Sequence, residues 1–351
     1  MKTIFLSLLL AMAGSFSALC QDFNLIKDIN TIPSTKGSDP YLRVSIGNTV
    51  YFFAKTLTNG FELWKSDGTA AGTVLVKDIC AGTVINPVSY LIVMGGTLFF
   101  TANDGFSGSE LWKSDGTTAG TKLVKDINPG YLSGDPSLMT EVNGTMFFMA
   151  TDANGRELWK SNGTEAGTVM VKDINSGPGS SDPFNFIKVN GTLFFTANDG
   201  INGTELWKSD GTATGTVLVK DIKAGTGSSN IIEMANLNAE LFFAADDGVN
   251  GTELWKSDGT TAGTILVKDI YTGATGGFPD DLTAFGNTIY FNARTAAEGT
   301  ELWKSDGTAA GTIIIKDINP GTAGSNPAYL IELNGAMYFR AFDPANGMEW
   351  N

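Results

Sequence analysis

Short runs of β-branched, aromatic and aliphatic residues alternate with glycine- and asparagine-rich turns along the whole chain. One representative unit has two such runs, Phe184–Val189 and Thr192–Ala197, separated by an Asn-Gly dipeptide that suits a tight hairpin turn. Two further runs, Thr204–Lys208 and Val217–Ile222, follow after Asp/Asn/Gly/Ser turns. Four short antiparallel strands are therefore predicted. No window has a helical period long enough to compete.

The same unit is repeated in tandem. The phrase Glu-Leu-Trp-Lys-Ser-Asp/Asn returns every 47 or 48 residues, with its glutamates at Glu62, Glu110, Glu157, Glu205, Glu253 and Glu301 and a degraded copy at Glu349. A period of this size indicates one supersecondary unit copied along the chain. A residue present in every copy is expected to serve the fold of that copy before it serves a single chemical site.

Each predicted sheet is apolar on both faces, as in the successive residues Leu193, Phe194 and Phe195. Such a sheet must be covered on both sides, and radial packing of four-stranded sheets does this for every copy. A β-solenoid would need a shorter rung, and separate sandwiches would need more residues than one period supplies. The expected fold is all-β, a seven-bladed β-propeller of four-stranded antiparallel blades.

The two ends of the chain are complementary in this arrangement. The fourth-strand phrase Lys-Asp-Ile begins at Lys27, Lys77, Lys125, Lys172, Lys220, Lys268 and Lys316, and its first copy precedes every other predicted strand. We expect Asn24–Ile29 to pair with the final strands in 328–351 and close the ring, which removes its sheet edges. The last copy departs from the pattern, since Trp350 stands at the leucine position. The alternative is a longer protein with further repeats.

Composition narrows the range of functions. The 351 residues carry a formal charge of −14, with 43 glycines and no histidine. A strongly acidic surface argues against nucleic acid and anionic membranes as partners. The lack of histidine excludes Ser-His-Asp and Cys-His nucleophiles and histidine-ligated zinc.

The amino terminus has the pattern of an export signal. Lys2 precedes an apolar run at 4–13 and a small-residue segment ending at Cys20. We expect residues 1–20 to be removed and 21–351 to form one propeller domain that is secreted, periplasmic or at the cell surface. The competing interpretation is a lipoprotein signal acylated at Cys20, which the large Leu19 disfavours. No other segment is apolar for long enough to be a membrane-spanning helix.

The repeated phrases resemble those of the secreted bacterial ELWxxDGT repeat family. The segment Glu205–Thr212 meets every signature position, and six good copies cover nearly the whole chain after residue 20. The third copy departs by having Asn162 in place of the aspartate. The resemblance implies an exported bacterial protein with propeller-type repeats, and it brings no established reaction.

Two repeated residue types have a structural and a functional interpretation. The hairpin aspartates resemble those of sialidase Asp-boxes and could bind a cation or a sugar, although repetition favours turn stabilisation: they are Asp67, Asp115, Asp210, Asp258 and Asp306. The tryptophans could stack on sugars, although one copy per blade favours packing between sheets: they are Trp64, Trp112, Trp159, Trp207, Trp255 and Trp303.

A candidate recognition face follows from the predicted topology. The Asx-Pro loops before the first strands and the variable loops between the second and third strands share one side of a propeller, where recognition is expected. A ligand or a calcium ion could meet carboxylates there: the candidates are Asp39, Asp135, Asp182, Asp104, Asp199 and Asp247. No other cofactor is expected.

The repeat pattern favours a non-catalytic monomer that binds or scaffolds a carbohydrate or an extracellular protein. The alternative is a propeller hydrolase or lyase acting on polysaccharide. The repeated glutamates could be paired acids, but repetition gives none of them a distinct environment that would raise its pKa. An enzyme would need unlike carboxylates or a Tyr-Arg cluster in one sector. Arg294 and Arg340, in adjacent repeats, are the residues that hint at one.

Overall fold

The computed structural model describes residues 25–31, 37–82 and 88–350, so the expected signal at 1–20 lies outside the described residues. Its strands form seven antiparallel sheets, blades 1 to 7, in chain order. The first strands of the blades are β1 Tyr41–Ile46, β5 Ser89–Met94, β9 Ser137–Val142, β13 Phe184–Val189, β17 Ile232–Leu237, β21 Asp280–Phe285 and β25 Ala328–Leu333. The second strands are β2 Thr49–Thr56, β6 Thr97–Asn103, β10 Thr145–Asp152, β14 Thr192–Asn198, β18 Glu240–Asp246, β22 Thr288–Thr295 and β26 Ala336–Asp343.

The third strands carry the Glu-Leu-Trp phrase in blades 1 to 6 and its degraded copy in blade 7. They are β3 Gly60–Ser66, β7 Ser109–Ser114, β11 Gly155–Ser161, β15 Thr204–Ser209, β19 Thr252–Ser257, β23 Gly299–Ser305 and β27 Gly347–Trp350. The fourth strands are β4 Val74–Lys77, β8 Lys122–Lys125, β12 Val169–Lys172, β16 Val217–Lys220, β20 Ile265–Lys268 and β24 Ile313–Lys316. The predicted all-β unit is therefore confirmed, and no helix occurs in the part of the chain that the structure describes.

Hydrogen bonding in each blade follows the order of the strands along the chain. In blade 4, Phe195 lies opposite Trp207, and Trp207 lies opposite Leu218. The first strands of neighbouring blades lie against one another. They consequently form the inner wall of the assembly, and the fourth strands lie farthest out.

The blades are held together by apolar clusters between their faces. Five such clusters fill the boundaries from blade 1/2 to blade 5/6. At the boundary of blades 3 and 4, Leu158 and Val171 of one blade meet Phe195 and Trp207 of the next. The series of stacked sheets is propeller-like, and each inner blade is covered on both sides as expected.

The two ends differ from the prediction of a strand-paired closure. Blade 7 has three strands, and the described residues 25–31 form no strand. Lys27 nevertheless donates from Nζ to the carbonyl oxygen of Thr73 at 2.7 Å, a contact that Lys220 makes with Thr264 at the same distance. The amino-terminal segment thus lies against blade 1 where the fourth strand of a preceding blade would lie, without the hydrogen-bonded partner that a ring would supply.

Among the described residues, no helix is long and apolar enough to cross a bilayer.

Candidate functional site

One side of the molecule is formed by two sets of loops in close contact, and we call it the loop face. It consists of the loops between the second and third strands and the loops that connect successive blades. Between blades 3 and 4, Ser181 N donates to Arg156 O at 3.0 Å and Asn198 N donates to Ser181 O at 2.9 Å. Gly108 adopts a φ of 69°, and a Cβ there would lie 2.1 Å from Leu132 O, so only glycine permits this approach.

Three of the candidate aspartates stabilise their own loops. Asp199 Oδ1 accepts the N–H groups of Ile201 and Asn202 at 2.9 and 2.8 Å, and its Oδ2 accepts the Asn202 side chain at 2.7 Å. Asp247 makes the same three bonds within its loop. Burial opposes ionisation, but these donors outweigh it and lower the pKa of both carboxyls. Asp104 caps its loop in the same way, through Phe106 and Ser107. These carboxylates have structural partners already.

The other three candidates precede the first strands and adopt a left-handed backbone. Their φ angles are 42° for Asp39, 44° for Asp135 and 44° for Asp182. Asp39 pairs with Lys55, and Asp182 pairs with Arg156 Nη1 at 3.1 Å. Both ion pairs are solvated, so they fix side-chain positions and add little stability.

Asp135 lines a cleft between blades 2 and 3. The cleft has a volume of about 370 Å³, and its wall includes Tyr90, Thr101, Asp135, Met149 and Arg156. One carboxylate, one guanidinium and one aromatic ring converge there beside apolar surface. This combination is typical of a site that orients a polar ligand.

A second depression of about 270 Å³ lies along the inner wall and shares Tyr90 with the cleft. Tyr90 is 40% exposed, and Phe184, on the wall of the second depression, is 55% exposed. The two depressions therefore present aromatic surface that continues from the loop face toward the inside of the assembly.

The inner wall contains a bulge that recurs in all seven blades. The second residue of each first strand has a φ between 47° and 59°, although none of these residues is glycine: Leu42, Tyr90, Leu138, Asn185, Glu233, Asp281 and Tyr329. The strand pairing shifts register at the same place. Seven-fold recurrence makes the bulge a feature of the fold. The side chains at this position differ: they are aliphatic or aromatic in blades 1 to 3 and in blade 7, and polar in blades 4 to 6.

The polar part of the wall contains a carboxyl pair. Burial first, and then the charge and hydrogen bond of Asp280, raise the pKa of Glu233. Glu233 Oε2 accepts from Asp281 N at 3.1 Å, and Asp281 Oδ2 accepts from Leu330 N at 2.8 Å. The side chains thus link successive blades.

Arg294 of blade 6 and Arg340 of blade 7 both stack on aromatic rings. The guanidinium of Arg294 lies 4.6 Å from the ring centre of Phe278 and 5.5 Å from that of Tyr271. Arg340 lies 4.9 Å from the ring of Tyr329. Such cation–π contacts hold the guanidinium groups in place.

The glutamates of the Glu-Leu-Trp phrase are buried and bind backbone. Glu205 accepts from Ile222 N and Ser229 N, both at 3.0 Å, and is fully buried. Equivalent bonds recur in the other blades and tie each third strand to the loop that leads to the next blade. The carboxylates are inaccessible to a polymeric substrate.

The expectation that no repeated glutamate would have a raised pKa is wrong. Burial raises the pKa of Glu62 to about 8 and that of Glu110 and Glu253 to about 7, although backbone N–H donors oppose the shift. The repeated glutamates have the same environment in each blade, and that environment excludes water. The shift therefore reports burial and not a distinct catalytic position.

The hairpin aspartates and the tryptophans occupy repeated structural positions. Asp210 Oδ1 accepts from the hydroxyl and the N–H of Thr212 at 2.7 and 2.8 Å, which lowers its pKa. Each of the six tryptophans in blades 1 to 6 is between 5% and 8% exposed, whereas Trp350 at the open edge of blade 7 is 55% exposed. Several lie beneath a lysine of the preceding blade, as Trp255 lies 5.6 Å from Lys220 Nζ.

No group of three or more metal-ligating side chains occurs in residues 25–31, 37–82 and 88–350. Calcium at the loop face stays a prediction.

The sequence pattern did not single out Tyr90, Phe184 or Glu233. The signal for Tyr90 and Glu233 is variation at one fixed repeat position, since the bulge residue changes chemically from blade to blade, and Phe184 directly precedes that position in blade 4.

No family model matches the chain, and no curated protein matches it in sequence. Solved structures do match in fold. A prolyl endopeptidase structure has a TM-score of 0.50 at 10% identity and covers 89% of this chain and 47% of its own. A puromycin hydrolase S511A mutant has a TM-score of 0.45 at 14% identity, covering 87% and 50%. Oligopeptidase B from Leishmania major has a TM-score of 0.44 at 11% identity, covering 86% and 44%.

The chain spans about half the length of these peptidases. At 10% identity the prolyl endopeptidase likeness concerns the fold alone, a propeller-like series of sheets.

Proposed function

We propose that this protein is an exported, non-catalytic binding or scaffolding module for a carbohydrate or an extracellular protein. The observation that carries the proposal is the cleft of about 370 Å³ between blades 2 and 3, where Tyr90, Asp135 and Arg156 converge. The resemblance to a secreted bacterial repeat family supports export to the periplasm, the medium or the cell surface.

Rigid display is the proposed mechanism. Asp199 and its counterparts fix their loops by hydrogen bonds, and glycines such as Gly108 pack those loops against the connections between blades. A preorganised surface loses little conformational entropy when a ligand binds, so more of the contact energy appears as affinity.

A closed seven-bladed ring is part of the proposal. Three observations support it: Lys27 makes the fourth-strand contact with Thr73, β27 has a free edge, and blade 1 leaves an open flank. A cavity of about 680 Å³ lies between residues 25–29 and that flank, which includes Val50 and Phe52. Packing blade 7 into this space would cover apolar surface at both ends.

The ring can be tested by cross-linking. In blade 4, Leu206 lies opposite Lys220, and the equivalent residues at the closure are Trp350 and Lys27. In a Cys80→Ser background, K27C combined with W350C is expected to form an intramolecular disulfide, seen as faster migration on a non-reducing gel. L57C combined with W350C is the control and is expected to stay reduced. Failure of the first pair to cross-link within one chain would contradict closure.

Ligand binding is tested with a glycan array and an array of extracellular matrix proteins, each probed with and without calcium. Tyr90→Ala is expected to weaken any binding at least tenfold, because this ring lines both depressions. Tyr329→Ala is the matched control, since Tyr329 has the same bulge position in blade 7. Equal losses in the two variants would place recognition elsewhere, and no binding in either array would count against a binding module.

A polysaccharide hydrolase or lyase is the second candidate, and the Glu233–Asp280 pair favours it. Burial and the hydrogen-bonded Asp280 raise the pKa of Glu233, and a carboxyl with a raised pKa can serve as a general acid on a glycosidic oxygen. Any polysaccharide that binds should be assayed for new reducing ends or unsaturated products. An enzyme would lose this activity in Glu233→Gln and Asp280→Asn and retain it in Glu240→Gln, whereas a binding module gives no product with any of them.

A further inference from the structure

Three loops of the loop face expose one large apolar residue each at their tips. Phe106, Ile201 and Val249, which we call the tip residues, are 72%, 70% and 70% exposed. Tyr131 and Leu132, in the connection between blades 2 and 3, are also exposed. Isolated exposed apolar side chains are ordinary, but five on one side of blades 2 to 5 form an arc that suits an interaction surface.

The tip residues are held outward by their loops. Phe106 N donates to Asp104 at 2.9 Å, and Val249 N donates to Asp247 at 2.8 Å. Ile201 N makes the equivalent bond to Asp199. These hydrogen bonds fix the backbone under each tip residue. The side chains therefore stay in water and do not fold back onto the blade.

The surface around the tip residues is strongly acidic. The repeat contributes a half-buried aspartate, with Oδ1 out of contact with solvent, to the start of each connection between blades: Asp78, Asp126, Asp173, Asp221, Asp269 and Asp317. Among the described loops of this face the cations are few and already engaged, as Lys223 is with Asp246 at 2.7 Å. The repeated lysines bind the flanks of neighbouring blades instead, as Lys208 does through Gly259 O at 2.8 Å. The loop face consequently has a negative potential.

We propose that the tip residues dock a cationic protein surface that carries apolar side chains. Because the loop face is negative, charge complementarity favours a partner surface with a positive charge. Isoleucine and valine lack the flat ring on which sugars stack, so the tips fit aliphatic pockets of a protein better than a glycan. The inference rests on the proposed function, because it names the partner class of the same face.

The test uses three synthetic peptides of equal length: a helical Leu/Lys amphipath, a Leu/Glu amphipath, and a Lys/Ser peptide without apolar residues. Affinities for the full chain are measured by fluorescence anisotropy in 50 mM and 150 mM salt. The Leu/Lys peptide is expected to bind at least tenfold more tightly than either of the others. Stronger or equal binding of the Leu/Glu or Lys/Ser peptide would overturn the proposal.

The triple variant F106S/I201S/V249S locates the site. It should bind the Leu/Lys peptide at least tenfold more weakly, with an unchanged melting temperature, since the substituted side chains are solvent-exposed. The control I265S/I313S removes two exposed apolar residues from the outer strands β20 and β24 and should stay within twofold of the parent. Equal losses in both variants, or no loss in the triple variant, would overturn the proposal.

The two proposals fail in different ways. Binding of a glycan or matrix protein that depends on Tyr90, without Leu/Lys peptide binding, would refute the cationic partner and leave the binding module standing. Absence of binding to peptides, glycans and matrix proteins alike would refute both.

Discussion

The boundary between blades 3 and 4 and the outer flank of blade 1 have nearly the same sequence pattern and very different burial. Leu193 and Phe195 of blade 4 are fully buried, because blade 3 covers them. The equivalent Val50 of blade 1 is 40% exposed, and Phe52 is half-buried. The apolar stripe of a repeat therefore stabilises the fold only through its neighbour, as in other repeat proteins.

At the carboxyl-terminal end, too, an apolar residue is buried only where a neighbouring blade covers it. Ile315 of β24 is 42% exposed, whereas Val267 occupies the same position in β20 and is 5% exposed. In the part of the chain that the structure describes, blade 7 has no fourth strand, and Asn351 stands in the sequence where the other copies have the tryptophan that would cover Ile315. Each end thus presents the surface that the other end could bury.

Truncation of a buried phenylalanine gives the largest expected effect. Phe195→Ala should lower the free energy of unfolding by about 3–5 kcal/mol, because it removes a fully buried ring from the boundary of blades 3 and 4. Phe52→Ala is the matched variant at the end. Urea denaturation followed by tryptophan fluorescence measures both.

If the ring is closed, Phe52→Ala and Phe195→Ala should lower the free energy of unfolding by similar amounts. A loss below about 1.5 kcal/mol for Phe52→Ala, beside a full loss for Phe195→Ala, would mean that nothing covers the flank of blade 1 in solution.

The pH dependence of stability tests whether the repeated glutamates lie in an environment that excludes water. Burial raises the pKa of Glu62, Glu110 and Glu253 to about 7 or 8, so the folded chain holds protons that the unfolded chain releases near pH 4.5. This contribution to stability is present below about pH 4.5 and is lost as pH rises through the folded pKa values. Differential scanning fluorimetry at constant ionic strength should show the melting temperature falling by about 5 °C or more between pH 5 and pH 8.

Below about pH 4 the hairpin aspartates determine how stability changes with pH. Hydrogen bonds lower the pKa of Asp210 and Asp258, so protonation of these carboxyls removes stability as pH falls. Maximum stability is expected between about pH 4 and pH 4.5. A melting temperature that rises from pH 5 to pH 8 would refute the assignment.

The strands could be predicted from the sequence, whereas the bulge and most of the cleft could not. Phe184–Val189 was predicted to the residue, because apolar runs and turn residues both mark strand ends. The bulge at Tyr90 recurs in every blade, but no residue type marks it, since tyrosine is disfavoured at a positive φ and is held there by the pairing of β5 with β6. Asp135 of the cleft was among the candidates, but Tyr90 and Arg156 were not, because convergence between blades depends on a three-dimensional register.

Replacement of a repeated glutamate separates hydrogen bonding from charge. In Glu205→Gln, one oxygen that accepts a backbone N–H becomes an NH2 group facing the same donor, which should cost about 1–3 kcal/mol. Glu240→Gln, at a solvated ion pair with Lys256, should cost less than about 0.5 kcal/mol. Equal unfolding free energies for the two variants in urea would show that the buried carboxyl does not hold the loop between blades.

The hairpin aspartate should give the smallest effect, and the chain contains its own control. Asn162 Oδ1 accepts from the N–H and the hydroxyl of Thr164 at 3.0 and 2.7 Å, nearly the bonds that Asp210 makes with Thr212. Because an amide oxygen suffices, Asp210→Asn should leave the melting temperature within about 1 °C, whereas Asp210→Ala should lower it by about 2 °C. A larger loss in the asparagine variant would mean that the negative charge itself is needed, and that outcome would revive a cation-binding role for these hairpins.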